Sequence, residues 1–225
     1  MQEIFRANPH LVATLKNSLS QSRFQRYIDE NNGDEIEAIR LYQWNSMISQ
    51  AIYIYLQCWE VCLRNKINDF LSWKYGASWP YDGVRAMRIM KADDRKRVSE
   101  TIIRQERERS ISGLPTSVIV ADLSAGFWVS QLSAAYDVPH VWRYNLARIF
   151  PNEPRIDRTE AWTICDNLLV LRNRVAHHEP IYHMPLVDRH AELRRMVAAM
   201  CVGSAALADA SCRFAEVFAM HPDSN

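Results

Sequence analysis

Hydrophobic residues recur at three- and four-residue steps along most of the chain, which is the period of an amphipathic α helix. The longest such stretch lies between Gly33 and Gly76, contains no internal glycine or proline, and predicts one long helix or two that meet at a kink. A shorter helix is predicted over 10–28, before the turn signal Asn31-Asn32-Gly33. No segment alternates convincingly with period two, so the pattern predicts an all-α fold without a sheet.

Glycine and proline divide the middle of the chain, 113–139, into short predicted helices. The stretch 91–109 mixes acidic and basic residues densely, which is typical of a solvated helix face and also fits a surface that contacts RNA. Two further helices are predicted at about 187–201 and 204–220. Together these elements predict a helical bundle with a long central helix and additional N-terminal and C-terminal helices, formed by residues 1–225 as a single domain.

The limits of one helix are predicted by its capping residues. Asp157 followed by Glu160 resembles an N-cap with its partner three residues later, so the helix should begin at about Arg158. Pro180 disfavours helical geometry in the residue before it, which predicts the end of the helix at about His178.

Composition and charge change this picture little. Of the 225 residues, 48% are hydrophobic, which is enough for a sizeable core. Lys+Arg total 27 and Asp+Glu 26, and a net charge of +1 argues against a protein that binds nucleic acid through overwhelming positive charge. The cations are 22 Arg and only 5 Lys. Codon bias explains that ratio, and so does phosphate recognition, for which the arginine fork is suited.

The cysteines and the N-terminus predict a cytoplasmic protein with no membrane contact. Five cysteines is an odd number within apolar helical stretches, which predicts buried free thiols, and Cys58-x-x-x-Cys62 lacks the second pair that a zinc site needs. The N-terminal sequence has no signal-peptide pattern. The uncharged stretch 196–208 is too short to span a bilayer and predicts a buried helix.

One predicted helix end brings together residues suited to catalysis: Arg172, Asn173 and His177. At 100° per residue, Asn173 and His177 share a face, and Arg172 lies between that face and the core stripe. The core stripe is formed by Ile164, Leu168, Leu171 and Val175.

The face that carries Asn173 and His177 also carries Trp162, Asp166 and Val170. Large apolar side chains on a second face predict that something covers it, and a second copy of the chain is the simplest candidate.

These residue types match a defined chemistry. A histidine that titrates near neutral pH suits general acid–base catalysis, and an arginine beside it can stabilise an anionic transition state at phosphate. The alternative is a polar helix end in which Asn173 and His177 only cap the helix and cover it.

Arg172-Asn173-x-x-x-His177 resembles the R-N-x-x-x-H signature of HEPN ribonuclease domains. The stretch LRNRVAHHEPIY is similar to the corresponding segment of the Abi-like, abortive-infection family of bacterial proteins. Other segments also resemble that family, and together they span about residues 23 to 182: Arg23-Phe24-x-x-Tyr27, Leu41-Tyr42-x-Trp44-Asn45, Glu60-Val61-x-Leu63-Arg64-Asn65, and Pro115 followed by Asp122-Leu123-Ser124-x-Gly126.

The resemblance implies an all-helical, HEPN-like domain with metal-independent endoribonuclease activity and no cofactor. It implies that His177 is the acid–base residue, Arg172 the phosphate-stabilising cation and Asn173 the residue that positions both. It also implies a homodimer with the active site at its interface, RNA as substrate, and a toxin-like role in phage defence, with an antitoxin or regulatory partner as a further expectation. The alternative is a non-catalytic RNA-binding or protein-interaction module on the same fold.

Two neighbours of the motif histidine bear on this expectation. His178 is a rival second histidine, although on a helix it would point about 100° away from His177. A related subgroup has a tyrosine two residues after the motif histidine, where a partner enzyme can modify it. Glu179 occupies that position here, so regulation by that route is not expected.

Glu60 and Arg64 are candidate supporting residues. Their spacing and order favour an ion pair within one helix. The alternative hypothesis is that Glu60 or Arg64 braces the motif helix or contributes to an RNA cleft.

Two more clusters have competing interpretations. Prolines interrupt the helical register of the histidine-rich stretch 177–190, which makes a metal site improbable there. Trp142, Arg143, Tyr144 and Arg148 interleave aromatic and basic residues, which suits stacking on bases, but aromatic residues at helical spacing more often belong to a core.

Overall fold

A computed structural model of the chain describes residues 2–81 and 85–222. Within these residues the chain forms fourteen α helices, two short 3₁₀ helices and no β strand, so the predicted all-α class is confirmed. None of the described helices is both long and apolar enough to cross a membrane. In chain order the α helices are α1 (Gln2–Ala7), α2 (Pro9–Leu19), α3 (Gln21–Glu30), α4 (Glu35–Tyr75), α5 (Arg85–Ile89), α6 (Ala92–Arg109), α7 (Thr116–Asp122), α8 (Ala125–Ser130), α9 (Asp137–His140), α10 (Trp142–Asn145), α11 (Arg158–Ala176), α12 (Leu186–Met200), α13 (Val202–Ser211) and α14 (Phe214–Phe218).

Contacts within the chain divide it into two compact units. The first comprises Met1–Ile54, Asn173–Val187 and Ser211–Asn225, and the second comprises Tyr55–Arg172 and Asp188–Ala210. The single domain over residues 1–225 stays a prediction, and its residues 1, 82–84 and 223–225 lie outside the described ones.

The long helix α4 is continuous over 41 residues, and local signals set both of its ends. Asp34 is its N-cap, since the Asp34 Oδ1 atom accepts the backbone N–H of Ile36 at 2.9 Å and of Glu37 at 3.1 Å. Gly76 follows its last residue with φ +102°, a left-handed conformation that glycine adopts without strain. Of the two predicted alternatives, one long helix or two that meet at a kink, the structure has the single helix.

The first unit has an aromatic core. The Tyr27 ring contacts Phe24 at 6.3 Å between centroids and Tyr42 at 5.1 Å, and Phe24 and Tyr27 are both fully buried. The Trp44 indole N–H donates to the Val217 carbonyl at 2.9 Å, which satisfies the polar atom of a buried ring. This core therefore packs α3, the start of α4 and α14 together.

The second unit encloses a buried polar network beside its apolar core. Asp94, 2% exposed, accepts hydrogen bonds from the hydroxyls of Ser130 at 2.7 Å and Tyr136 at 2.8 Å. His140 lies within hydrogen-bond distance of Gln131 at 3.2 Å, and burial lowers the pKa of His140 to about 3. The histidine is therefore neutral at physiological pH and helps to anchor the short helices of the middle segment.

Two predicted helices are wrong in extent. The predicted helix 10–28 is two helices, because Ser20 adopts the left-handed conformation, with φ +67°, between α2 and α3. The predicted helix 204–220 is also two helices, since α13 ends at Ser211 and α14 begins at Phe214. The Phe214 N–H donates to the Cys212 sulfur at 3.5 Å in the break. Neither break has a glycine or proline to mark it in the sequence.

Candidate functional site

Helix α11, which carries the motif, begins where the capping residues predict. The Glu160 N–H donates to Asp157 Oδ1 at 2.8 Å, so Asp157 caps the first turn, and the predicted start at Arg158 is confirmed. One side of the helix is fully packed into the second unit by Ala161, Ile164, Cys165, Leu168 and Leu171.

The C-terminus of α11 is closed by two backbone hydrogen bonds of the Schellman type. The Glu179 N–H donates to the Arg174 carbonyl at 2.8 Å, and the His178 N–H donates to the Val175 carbonyl at 3.1 Å. His178 takes the left-handed position that glycine usually occupies, with φ +55°. The helix therefore ends at Ala176, two residues before the predicted end, and His177 is its C-cap residue.

The three motif residues differ in exposure. Asn173 and His177 are exposed, whereas the Arg172 side chain is 33% exposed. Arg172 belongs to the second unit, and Asn173 and His177 belong to the first. Asn173 and His177 therefore lie off the buried side of α11, as the helical period predicts, while Val175, predicted to be in the core, is only half-buried.

Glu60 and Arg172 form an ion pair between α4 and α11. Arg172 Nε donates to Glu60 Oε2 at 2.8 Å, and Arg172 Nη2 donates to Glu60 Oε1 at 3.2 Å. Such a bidentate ion pair fixes the plane of the guanidinium group. Among the ion pairs of the described residues, none joins Glu60 to Arg64, which lies half-buried one turn further along α4. Glu60 therefore contacts the motif helix, and its supporting role, like that of Arg64, stays a prediction.

Two arginines of the first unit hold the turn that follows the motif. Arg23 Nη1 donates to the His178 carbonyl at 2.9 Å. Arg174 Nη1 donates to the Pro180 carbonyl at 3.1 Å, and the Arg174 guanidinium lies 3.8 Å from the Glu179 carboxylate. These contacts fix the backbone immediately after His177.

Asn45 fixes the next two residues from inside the first unit. Its Oδ1 atom accepts the backbone N–H of Ile181 at 2.7 Å and of Tyr182 at 3.2 Å, and Asn45 is only 5% exposed. The Tyr182 ring then packs on Tyr27, 5.3 Å between centroids. Burial raises the pKa of Tyr27, and Tyr182 and Tyr42 raise it further, so this aromatic contact carries no charge at neutral pH.

The second face of α11 is exposed enough for a second copy of the chain to pack on it. Within the second unit, Val170 is 47% exposed, and Trp162 and Asp166 are half-buried. The structure contains one copy of the chain, so the predicted partner on this face stays a prediction.

The described residues include no group of three or more His, Cys, Asp or Glu that could hold a metal ion. His183 lies edge-on to Tyr182 in the first unit, and His190 lies edge-on to Tyr55 in the second, each pair separated by less than 5.5 Å. All five cysteines are free, but only Cys165 is buried, so the prediction of buried thiols is wrong for Cys58, Cys62, Cys201 and Cys212.

The turn-holding roles of Arg23, Asn45 and Arg174 are not visible in the sequence. Arg23 is 155 residues from His178, and Asn45 is 136 from Ile181. Arg23 and Asn45 do belong to segments that resemble the Abi-like family, so the resemblance is the one signal that marks them.

No family model, no curated protein and no solved structure matched the chain in three comparisons with known proteins. The resemblance therefore rests on the sequence motifs alone and stays a prediction.

We expect His178→Gly to raise the free energy of unfolding by about 0.5–1 kcal/mol. A left-handed residue other than glycine costs about 1–2 kcal/mol, and the larger backbone entropy of glycine in the unfolded chain offsets part of the gain from removing that cost. Urea denaturation measures the change. His178→Val is the matched control and should lower stability, since a β-branched residue tolerates positive φ poorly. Equal stability of the two variants would contradict a strained C-terminus.

We expect Asn45→Ala to lower the free energy of unfolding by about 2 kcal/mol or more, because two backbone N–H groups lose their acceptor inside the first unit. Asn45→Asp retains an acceptor oxygen and should cost less. Denaturation midpoints and slopes of the three proteins provide the measurement. An Asn45→Ala protein as stable as the wild type would show that these hydrogen bonds do not hold the turn.

Proposed function

We propose that this chain is a metal-independent endoribonuclease of the HEPN type, related to the Abi-like family. The observation that carries the proposal is the end of α11, where Arg172, Asn173 and His177 follow one another on a capped helix. His177 and Asn173 are exposed there, and Arg172 is oriented by Glu60. An imidazole suits acid–base catalysis, and an arginine beside it can stabilise the charge that develops on a phosphate.

The contacts of the resembling segments support the same proposal. Arg23 and Asn45 bind the turn after the motif within the first unit, and Glu60 binds Arg172 within the second. Glu60 and Arg172 are 112 residues apart, so helical periodicity alone does not bring them together. Three of the four segments that resemble the family thus contact the segment that carries its signature.

The proposed reaction needs only the RNA and the protein. A base removes the proton from a ribose 2′-hydroxyl, and the 2′-oxygen attacks the adjacent phosphorus. The bond from phosphorus to the 5′-oxygen breaks, and an acid protonates that oxygen as it leaves. The products are a 2′,3′-cyclic phosphate and a 5′-hydroxyl. His177 supplies the acid–base group, Arg172 balances the charge that develops on the phosphate, and Asn173 positions them.

One motif contains one His177, whereas the reaction uses a base and an acid. Two motifs that meet in a homodimer supply both groups. The second face of α11, with Val170 exposed, is the surface we assign to this contact. In the cell we place the enzyme in the cytoplasm as a toxin-like effector of phage defence, held in check by an antitoxin or regulatory partner.

A second candidate is a non-catalytic RNA-binding or protein-interaction module. The observation that favours it is the Glu60 carboxylate, which already balances the Arg172 charge across two hydrogen bonds. In that case the pair is structural, and RNA would bind without being cut.

We expect purified protein to cleave RNA in excess EDTA and to leave cyclic phosphate ends. His177→Ala should slow cleavage by about 10²–10⁴-fold, the usual share of one acid–base group. Arg172→Ala should slow it by about 10²–10³-fold, the usual loss of one charge-stabilising donor. Gel analysis of end-labelled RNA gives the rates, and circular dichroism checks that the variants remain folded.

His10→Ala and Arg88→Ala are matched controls, because both side chains are exposed and lie outside the motif and outside the stretch 91–109. Glu60→Gln tests whether Glu60 positions Arg172: kcat should fall with KM unchanged, and Glu60→Asp should recover part of the rate. Binding without cleavage by the wild type on varied RNAs would favour the second candidate.

We expect the protein to sediment and scatter light as a homodimer with twice the 26.2 kDa mass of the chain. Val170→Glu should shift it to the monomer, because a carboxylate on the covered face is costly to bury. Val187→Glu is the matched control, since Val187 is similarly exposed at 54%. A wild-type protein that remains at 26.2 kDa at all concentrations would contradict the dimer.

A further inference from the structure

Two exposed aromatic rings of the second unit each carry a guanidinium group over the ring. Trp73, 56% exposed, has the Arg148 Cζ atom 3.7 Å from its ring centroid. Tyr144, 70% exposed, has the Arg143 Cζ atom 5.0 Å from its centroid. An arginine stacked on a ring restricts the orientation of that ring and places positive charge beside it. Exposed rings flanked by cations are the elements from which single-strand binding sites are built.

The two pairs are carried by elements that pack together. The Tyr75 hydroxyl at the end of α4 donates to the Pro139 carbonyl at 3.0 Å, and Phe70 packs on Trp142 at 4.6 Å between centroids. Trp142 is 1% exposed, so of the interleaved aromatics Trp142 belongs to the core and Tyr144 does not. Both exposed rings therefore project from a rigid, buried support.

A strained residue contributes to this arrangement. Val141 lies between α9 and α10 with φ +54°, a conformation that is rare for a β-branched residue. The Asn145 amide donates to the His140 carbonyl at 2.9 Å across this turn. The turn points Trp142 inward and leaves Tyr144 exposed, and strain of this kind persists only where the surrounding structure enforces it.

The exposed arginines of this surface are not paired with carboxylates. Across the described chain, no carboxylate lies within ion-pair distance of Arg143 or Arg148, whose guanidinium groups lie over aromatic rings. Of the two aspartates nearby, Asp137 pairs with Arg158 at 3.6 Å, and Asp157 accepts the Glu160 N–H as the N-cap of α11. Arg143 and Arg148 are therefore available to phosphate.

A cleft of about 420 Å³ borders Tyr144. Its lining includes Trp142, Arg143, Tyr144 and Arg158, together with the acidic Asp137 and Asp157. Pockets of this size accept small organic groups, and this cleft is lined by aromatic rings and arginines. A nucleobase that stacks on Tyr144 has room beside it.

We propose that Trp73, Tyr144, Arg143 and Arg148 form a surface that binds single-stranded RNA, with bases stacked on the two rings and phosphates beside the arginines. The proposal rests on the proposed ribonuclease function, to which it adds the class of substrate. Single strands expose the faces of their bases, whereas a duplex hides them, so this surface selects unpaired RNA.

The test is binding of a fluorescent, single-stranded 2′-O-methyl RNA decamer, which cannot be cleaved because the attacking hydroxyl is blocked. Trp73→Ala and Tyr144→Ala should each raise Kd about 10-fold, the effect of losing one stacked base. Arg148→Ala should reduce the salt dependence by about one counterion. Tyr53→Ala is the matched control, since Tyr53 is also exposed on α4, at 57%. Trp73→Phe should retain most of the affinity.

The outcomes separate the two proposals. Weakened binding in Trp73→Ala and Tyr144→Ala, with no cleavage of ordinary RNA by the wild type, supports this surface and overturns the ribonuclease. Cleavage of RNA with unchanged binding in both variants overturns this surface alone. No binding by the wild type, or equal competition by a 2′-O-methyl duplex or a polyglutamate peptide, would also overturn it.

Discussion

The hydrogen bonds that close the C-terminus of α11 fix the backbone turn that contains His177 and His178. Without them, the last carbonyls of the helix would have no partner, and the helix could continue toward Pro180. The Glu179 and His178 N–H groups satisfy those carbonyls, and this makes His177 the C-cap residue. The imidazole of His177 is therefore exposed at the end of the helix, and the capping hydrogen bonds fix the backbone that carries it.

That arrangement is stabilised from several directions. Arg23 binds the His178 carbonyl, Asn45 captures the N–H groups of Ile181 and Tyr182, and Glu60 orients Arg172. None of these contacts contributes a large hydrophobic free energy to folding. Each of these hydrogen bonds restricts the orientation of one backbone segment or of the Arg172 guanidinium group. The strain at His178 is maintained by this surrounding set of bonds.

The net charge of the chain has to be interpreted together with the groups that its arginines contact. A net charge of +1 conceals two uses of arginine. One group, which includes Arg172 and Arg195, is paired with carboxylates and stabilises the fold. The other, Arg143 and Arg148, lies on aromatic rings and forms no ion pair within the described part of the chain. Average charge therefore says little about whether one surface of this protein can bind phosphate.

Local physics makes most of the helices predictable. Periodicity, the Asp34 cap and the flanking glycines determine α4, and Asp157 determines the start of α11, because a helix period and a cap depend on residues within one or two turns. The breaks at Ser20 and His178 depend on left-handed residues that are not glycine, and composition does not mark them.

The sequence by itself determined the all-α class and the motif on one helix. Only the tertiary structure decided that Glu60 pairs with Arg172 and not with Arg64, and that Trp142 is buried while Tyr144 is exposed. Those choices depend on contacts between residues far apart in the chain, whose energies no local pattern contains.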